Sequence, residues 1–231
     1  MRRFLLILVA TGSVLFASVD EWYESADFGE WDEGKVEKFL EKSPWVKTTT
    51  YRPSNPRAMR TMGGDESRGQ ANVFFRVRWF SARPVRMAMA RQALSLNPQL
   101  TVEQLNDFAL APSEQVILAL VLDANDAGFR TIQGYQRALQ QMEGETIRPL
   151  VTLETKSDKE FHPAAYQPPG QDGSSAKFLF PRTLADGQPL LVPGDKEVRF
   201  RFTFEAGRDD KIRIDAKFKL EDMMFQGELE Y

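Results

Sequence analysis

From Val198 to Leu220 the chain alternates apolar and charged residues twice over. Val198, Phe200, Phe202 and Phe204 recur at every second position, and Ile212, Ile214, Ala216, Phe218 and Leu220 do so again after a break at Ala206 to Asp210. Successive side chains of a β-strand point to opposite faces, so each run carries one apolar face. Two such runs joined by a short polar turn predict a β-hairpin whose greasy face must be covered by the rest of the chain.

The remainder of the sequence supplies the cover. Val73, Phe75, Val77 and Trp79 alternate with Asn72, Phe74, Arg76 and Arg78, which predicts another strand. Pro84 suits the first turn of a helix running to about Leu96, ended by Asn97-Pro98. Thr101 can cap a helix beginning there, with Glu103 and Gln104 in its first turn. Val116 to Leu122 is a continuous apolar run, as in a strand covered on both faces. Gly128 to Met142 reads as a helix, since Ile132, Tyr135 and Leu139 fall at helical spacing. Short helical spacing also marks Lys35 to Lys42, and strands are predicted at Trp45 to Tyr51, Ile147 to Thr155, Lys177 to Phe180 and Phe225 to Tyr231. Two stretches rich in Pro and Gly, 52–70 and 157–175, read as long loops. The irregular mixture predicts an α+β fold, a largely antiparallel sheet packed against several helices, with the C-terminal hairpin and a final strand.

The N-terminus reads differently. Arg2 and Arg3 precede the apolar run Phe4 to Val9, and no charge appears again before Asp20. That run is too short for a bilayer span and long enough for an export signal, so residues 1–17 are expected to be a signal peptide cleaved near Ala17. Leu15, third-last before that point, is bulkier than a good cleavage site carries, which leaves retention as an anchor as the rival outcome. Removing Arg2 and Arg3 moves the net charge from −3 to −5, giving no general motive for nucleic-acid binding. Residues 18–34 form an acidic, linker-like segment interspersed with Trp22, Tyr23, Phe28 and Trp31, aromatics that argue against full disorder and for packing on the rest of the chain. Residues 35–231 are expected to form a single domain. The chain holds no cysteine, which excludes disulfides, a thiol nucleophile and cysteine-ligated metal clusters.

Candidate sites are few. His162 is the only histidine; it sits beside Pro163 in a predicted loop, without the packed shell that a Ser-His-acid site needs, and reads as an ordinary solvated residue. The run from Asp123 to Gly128 matches a calcium loop at Asp123, Asn125 and Gly128, but Ala127 and Gly134 stand where ligands are required, so a polar turn is expected. Gly63, Gly64 and Gly69 lack the Gly-Lys-Ser/Thr of a phosphate loop. No catalytic, metal or cofactor residue is therefore assigned. The outward face of the predicted hairpin is basic at Arg199, Arg201, Lys211, Arg213, Lys217 and Lys219, interleaved with Glu197, Glu205 and Asp215, and Arg76 and Arg78 also alternate outward on their strand. Such a face could contact an anionic polymer or surface, unless the interleaved acids neutralise it.

Three phrases belong together: Ser43-Pro44-Trp45-Val46-Lys47, the segment from Val77 to Val85, and Lys217 to Met223 with Gln226-Gly227. As a set they resemble an uncharacterised family of exported acidobacterial proteins. The resemblance spans most of the chain after the signal and implies export as one unit, with no activity, cofactor or site residue attached.

The sequence thus points first to a non-catalytic exported module acting in binding, assembly or envelope structure, in the periplasm or secreted. Its partner would be an envelope protein or an anionic polymer. A carboxylate-dependent hydrolase of envelope or extracellular material is the alternative, and docking to an anionic surface through the hairpin face is the third. Two convergent carboxylates in a cleft, one with a raised pKa, would favour the enzyme.

Overall fold

The computed structural model describes residues 22–24, 27–53, 70–170, 174–206 and 210–231. The predicted signal peptide and most of the 52–70 loop lie outside these residues. Among them the fold is α+β: five α-helices and two main antiparallel sheets. The strands are β1 (Val46–Tyr51), β2 (Val73–Trp79), β3 (Gln115–Ala124), β4 (Val151–Thr155), β5 (Glu160–Phe161), β6 (Ala165–Gln167), β7 (Ala176–Pro181), β8 (Glu197–Glu205), β9 (Lys211–Lys219), β10 (Met224–Phe225) and β11 (Glu228–Leu229). The helices are α1 (Glu33–Glu41), α2 (Arg83–Leu96), α3 (Val102–Leu110), α4 (Phe129–Gln140) and α5 (Gly144–Ile147).

One sheet has the order β1-β2-β3-β7-β6 and the other β5-β4-β8-β9. The hairpin is β8–β9, in register from Glu197 opposite Lys219 to Glu205 opposite Lys211. Its apolar face is fully buried, but its main cover is the five-stranded sheet and not the helices the sequence suggested. Phe178 of β7 lies 5.3 Å from Phe200 and 5.1 Å from Phe202 between ring centroids. Phe75 meets Phe204 at 6.2 Å and Trp79 meets Phe218 at 5.5 Å, both edge-on. Two sheets stacked face to face hide both alternating faces at once, which one sheet and a few short helices cannot do as well.

The sandwich also disposes of its long edges. β1 lies beside β9 across the gap between the sheets, with the Lys47 ammonium 5.9 Å from the Phe218 ring centroid. The opposite edges are β5 and β6, only two and three residues long, and a short edge offers little template for unwanted pairing.

Helices close the ends. α4 places Tyr135 stacked at 5.9 Å on Phe75, and its hydroxyl donates to Asp210 Oδ2 at 3.3 Å. α3 has the capping box expected at Thr101, closed reciprocally by Gln104. α2 begins as Pro84 predicted, and its first free N–H, on Arg83, donates to Glu230 Oε2 at 3.0 Å. The buried Arg86 guanidinium donates to the carbonyls of Ser81, Phe108 and Ala111, joining the start of α2 to the end of α3.

Where the segment 18–34 is described its aromatics pack: Phe28 and Trp31 are core residues, and Trp22 stands edge-on to Trp31 at 5.0 Å. Its acids work as caps, since Asp27 accepts from Gly29 N and Asp32 from Lys35 N. Several expectations are corrected. The 157–175 loop contains β5 and β6. Ile147 to Leu150 is helical, and only Val151 onward is strand. Phe225 to Tyr231 is not one strand: Gln226 and Gly227, at φ 50° and 80°, turn β10 back on β11. Two central residues at positive φ are what a tight two-residue hairpin requires. Tyr231 then lies buried, its hydroxyl donating to Leu191 O at 3.1 Å and its main-chain oxygen accepting from Arg182.

Candidate functional site

The six cations predicted on the hairpin all stand on its outward face, but most are spoken for. Arg199 pairs with Asp215 at 3.5 Å, and Arg201 pairs with Glu154 and, at 3.8 Å, with Asp215. Lys217 meets Glu197 at 2.6 Å and Lys219 meets Glu221 at 3.8 Å. Exposed pairs of this kind are worth about 0–1 kcal/mol each, so they add little stability. They do cancel the local field. Among the described residues only Lys211 and Arg213 of the six lack an acid partner.

The other sequence candidates resolve into structural roles. His162 Nδ1 lies 3.0 Å from Val151 O and Nε2 lies 3.3 Å from Glu160, so the ring ties β4 to the chain after β5. Asn125 Oδ1 accepts from Gly128 N and Asn72 N, both at 3.0 Å, and Asp123 pairs with Arg76 at 3.1 Å. The would-be calcium loop is a capped turn. Among the described residues no group of acids and histidine could hold a metal ion, and no helix is long and apolar enough to cross a membrane.

The most connected polar cluster was not legible in the sequence. Asp195 is 3 % exposed and accepts from Val192 N at 3.0 Å and Ser157 Oγ at 2.9 Å, with Lys159 Nζ 3.0 Å away. Burial alone would push its carboxyl up. The Val192 N–H, Lys159 and Ser157 outweigh that and hold it below the usual carboxylate range. Thr155 Oγ1, 2.9 Å from Ser157 Oγ, completes the chain. Every member is satisfied, so the cluster pins the β4–β5 turn to the loop before β8. Glu103 is the other shifted acid, and it too is lowered, first by its own backbone N–H and then by Thr101.

A second outward face was also missed, that of the five-stranded sheet. The register sets its rows: Thr50, Phe74 and Asp123; then Thr48, Arg76 and Val121; then Val46, Arg78, Ala119, Lys177 and Gln167. Phe80 follows, marked as belonging to this face by Lys177 Nζ 4.7 Å from its ring centroid, and Phe108 of α3 stands edge-on to it at 6.0 Å. Phe74, Phe80, Ile117 and Val121 are half-buried and Phe108 is exposed. Arg76 pairs with Glu41 and Asp123, whereas Arg78 and Lys177 have no acid within ion-pair distance among the described residues. Arg78 instead donates to Leu40 O at 2.6 Å, at the C-terminal end of α1. Burial, and then the neighbouring Arg76, hold its guanidinium down at about 10, still charged at neutral pH. At the β1 margin a shallow groove of about 480 Å³ opens between Lys42, Ser43, Thr48 and Asp222. The signal for this face was present: β2 carries aromatics on both of its alternating sides, Phe74 and Phe80 as well as Phe75 and Trp79.

A two-sheet α+β sandwich, with a largely ion-paired hairpin face and a sheet face on which half-buried aromatics stand beside Arg76, Arg78 and Lys177, is the class these features define. No family model, curated protein or solved structure matches the chain.

Proposed function

We propose that this chain is an exported, non-catalytic binding module of the periplasm or extracellular space, and that its working surface is the outer face of the five-stranded sheet. One observation carries the reading: Phe74, Phe80, Ile117 and Val121 stand half-buried on one sheet face beside Arg76, Arg78 and Lys177, whereas the more exposed Leu96 and Phe129 lie apart from one another on α2 and α4. Aromatic and arginine side chains at a sheet's centre, with polar residues at its margin, have the composition of a recognition surface. Export rests on Arg2, Arg3 and the run Phe4 to Val9. The hydrolase reading draws less support, because Asp195 and Glu103 are both shifted down and a general acid needs an upward shift. Docking through the hairpin rests on Lys211 and Arg213 alone.

Capture from envelope extracts tests the surface. The chain is immobilised as wild type, as the sheet variant Phe74→Ser with Val121→Ser, and as the hairpin variant Lys211→Glu with Arg213→Glu. Capture that is lost only in the sheet variant supports the reading; capture lost only in the hairpin variant contradicts it. Mass spectrometry of the exported protein tests the address, with a first residue near Ser18 expected and Met1 contradicting cleavage.

A further inference from the structure

Resting on that reading of the face, we infer that its ligand is an extended polyanion with flat, apolar ring faces, as an acidic polysaccharide offers. Phe74 lies near the start of β2 and Phe80 in the turn just past its end, six residues apart and therefore up to about 20 Å. Arg76, Arg78 and Lys177 lie between and beside them. A compact anion could touch one end only, whereas a polymer lying along β2 meets both rings with Arg76 and Lys177, while Arg78 is largely buried and held on Leu40 O.

The charge pattern is complementary to such a chain. Lys177 carries no acid partner among the described residues, Arg78 is influenced by Glu41 without pairing with it, and Arg76 shares its charge with Glu41 and Asp123 at the margin. This positive strip stands on a protein of net charge −3, so the attraction is local to the face. Phe74 and Phe80 are half-buried, which suits a ring lying across them better than insertion between acyl chains. Exposed Thr48, Thr50 and Gln167 offer hydroxyl and amide partners to a hydroxyl-rich polymer along the same rows. Pyranose rings have C–H faces that stack on aromatics, and their acidic substituents project at the edges toward the cations.

Fluorescence anisotropy with a labelled heparin oligosaccharide tests this on the full chain, each variant first being checked for an unchanged melting temperature. Binding should weaken as salt is added. Lys177→Glu should reduce affinity about thirtyfold, since a single basic side chain near an anionic surface contributes about fivefold and reversal applies that factor twice. Phe74→Ser should also weaken binding, while Lys211→Glu with Arg213→Glu leaves it unchanged. Neutral dextran and a single-stranded thymidine oligomer should not compete. The inference is overturned by any of four results: no binding at low salt, loss in the hairpin variant instead, equal competition by dextran, or stronger competition by the nucleic acid. If heparin fails while extract capture still depends on Phe74 and Val121, the ligand class falls and the surface stands. If both fail, the surface itself is wrong.

Discussion

Replacing Phe178 with Ala should unfold the protein more readily than almost any other single truncation. Its ring is fully buried between the sheets, 5.3 Å from Phe200, 5.1 Å from Phe202 and 5.4 Å from Tyr166. Truncating a buried Phe to Ala costs about 3–5 kcal/mol, and the loss of three ring partners places this site in the upper half, about 4–5 kcal/mol. For a chain of this length that corresponds to a fall in melting temperature of roughly 10–15 °C. Phe178→Leu keeps most of the volume and should cost about 1–1.5 kcal/mol. Lys177→Ala, one residue away on the outward face, should stay within about 0.5 kcal/mol. Urea denaturation of the three variants, with unchanged slopes, measures the differences. A cost for Phe178→Ala no larger than for Lys177→Ala would mean that the Phe178 ring does not lie between the sheets, and the sandwich would be refuted.

Three further outcomes follow from particular contacts. Asp195→Asn should flatten the acid side of the stability profile: the folded carboxyl is depressed, so its contribution is present above the unfolded pKa of about 4 and is lost as pH falls through the lower folded value. Equal pH profiles for wild type and variant would contradict that sign. Arg86→Met should cost about 3 kcal/mol in denaturation, because the carbonyls of Ser81, Phe108 and Ala111 lose their donor, and Arg86→Lys should restore little, lacking the fork to reach all three. Gly128→Ala should destabilise by about 1–3 kcal/mol, since its new Cβ would lie 2.5 Å from the Asn72 carbonyl oxygen; a neutral melting temperature would contradict this.

What the sequence revealed was what local periodicity encodes. The β8–β9 hairpin, β2, the start of α2 at Pro84 and the capped start of α3 all announce themselves within ten or so residues. The partner of the hairpin's greasy face did not, because alternation says that a face is buried and not against what. Phe178 sits in a six-residue strand that pairs with β3 across more than fifty intervening residues, a relation no local pattern carries. In the acidic N-terminal segment the aromatics signalled packing, and Phe28 and Trp31 are buried, while the capping roles of Asp27 and Asp32 were not legible. Gln226-Gly227 held a turn signal hidden inside an apparent strand. The hairpin cations were legible, as were the acids that pair with them. The sheet face was harder: Arg76 and Arg78 read as outward cations, but the aromatics near them, Phe74, Phe80 and Phe108, come from β2, the turn after it and α3.

Chemical-shift mapping with the heparin oligosaccharide tests the central claim most directly. Adding it to isotope-labelled protein should move amide signals along Phe74, Arg76, Arg78, Val121 and Lys177, and leave Lys211 and Arg213 in place. Shifts confined to Lys211 through Lys219 would put the binding surface on the hairpin and contradict the account.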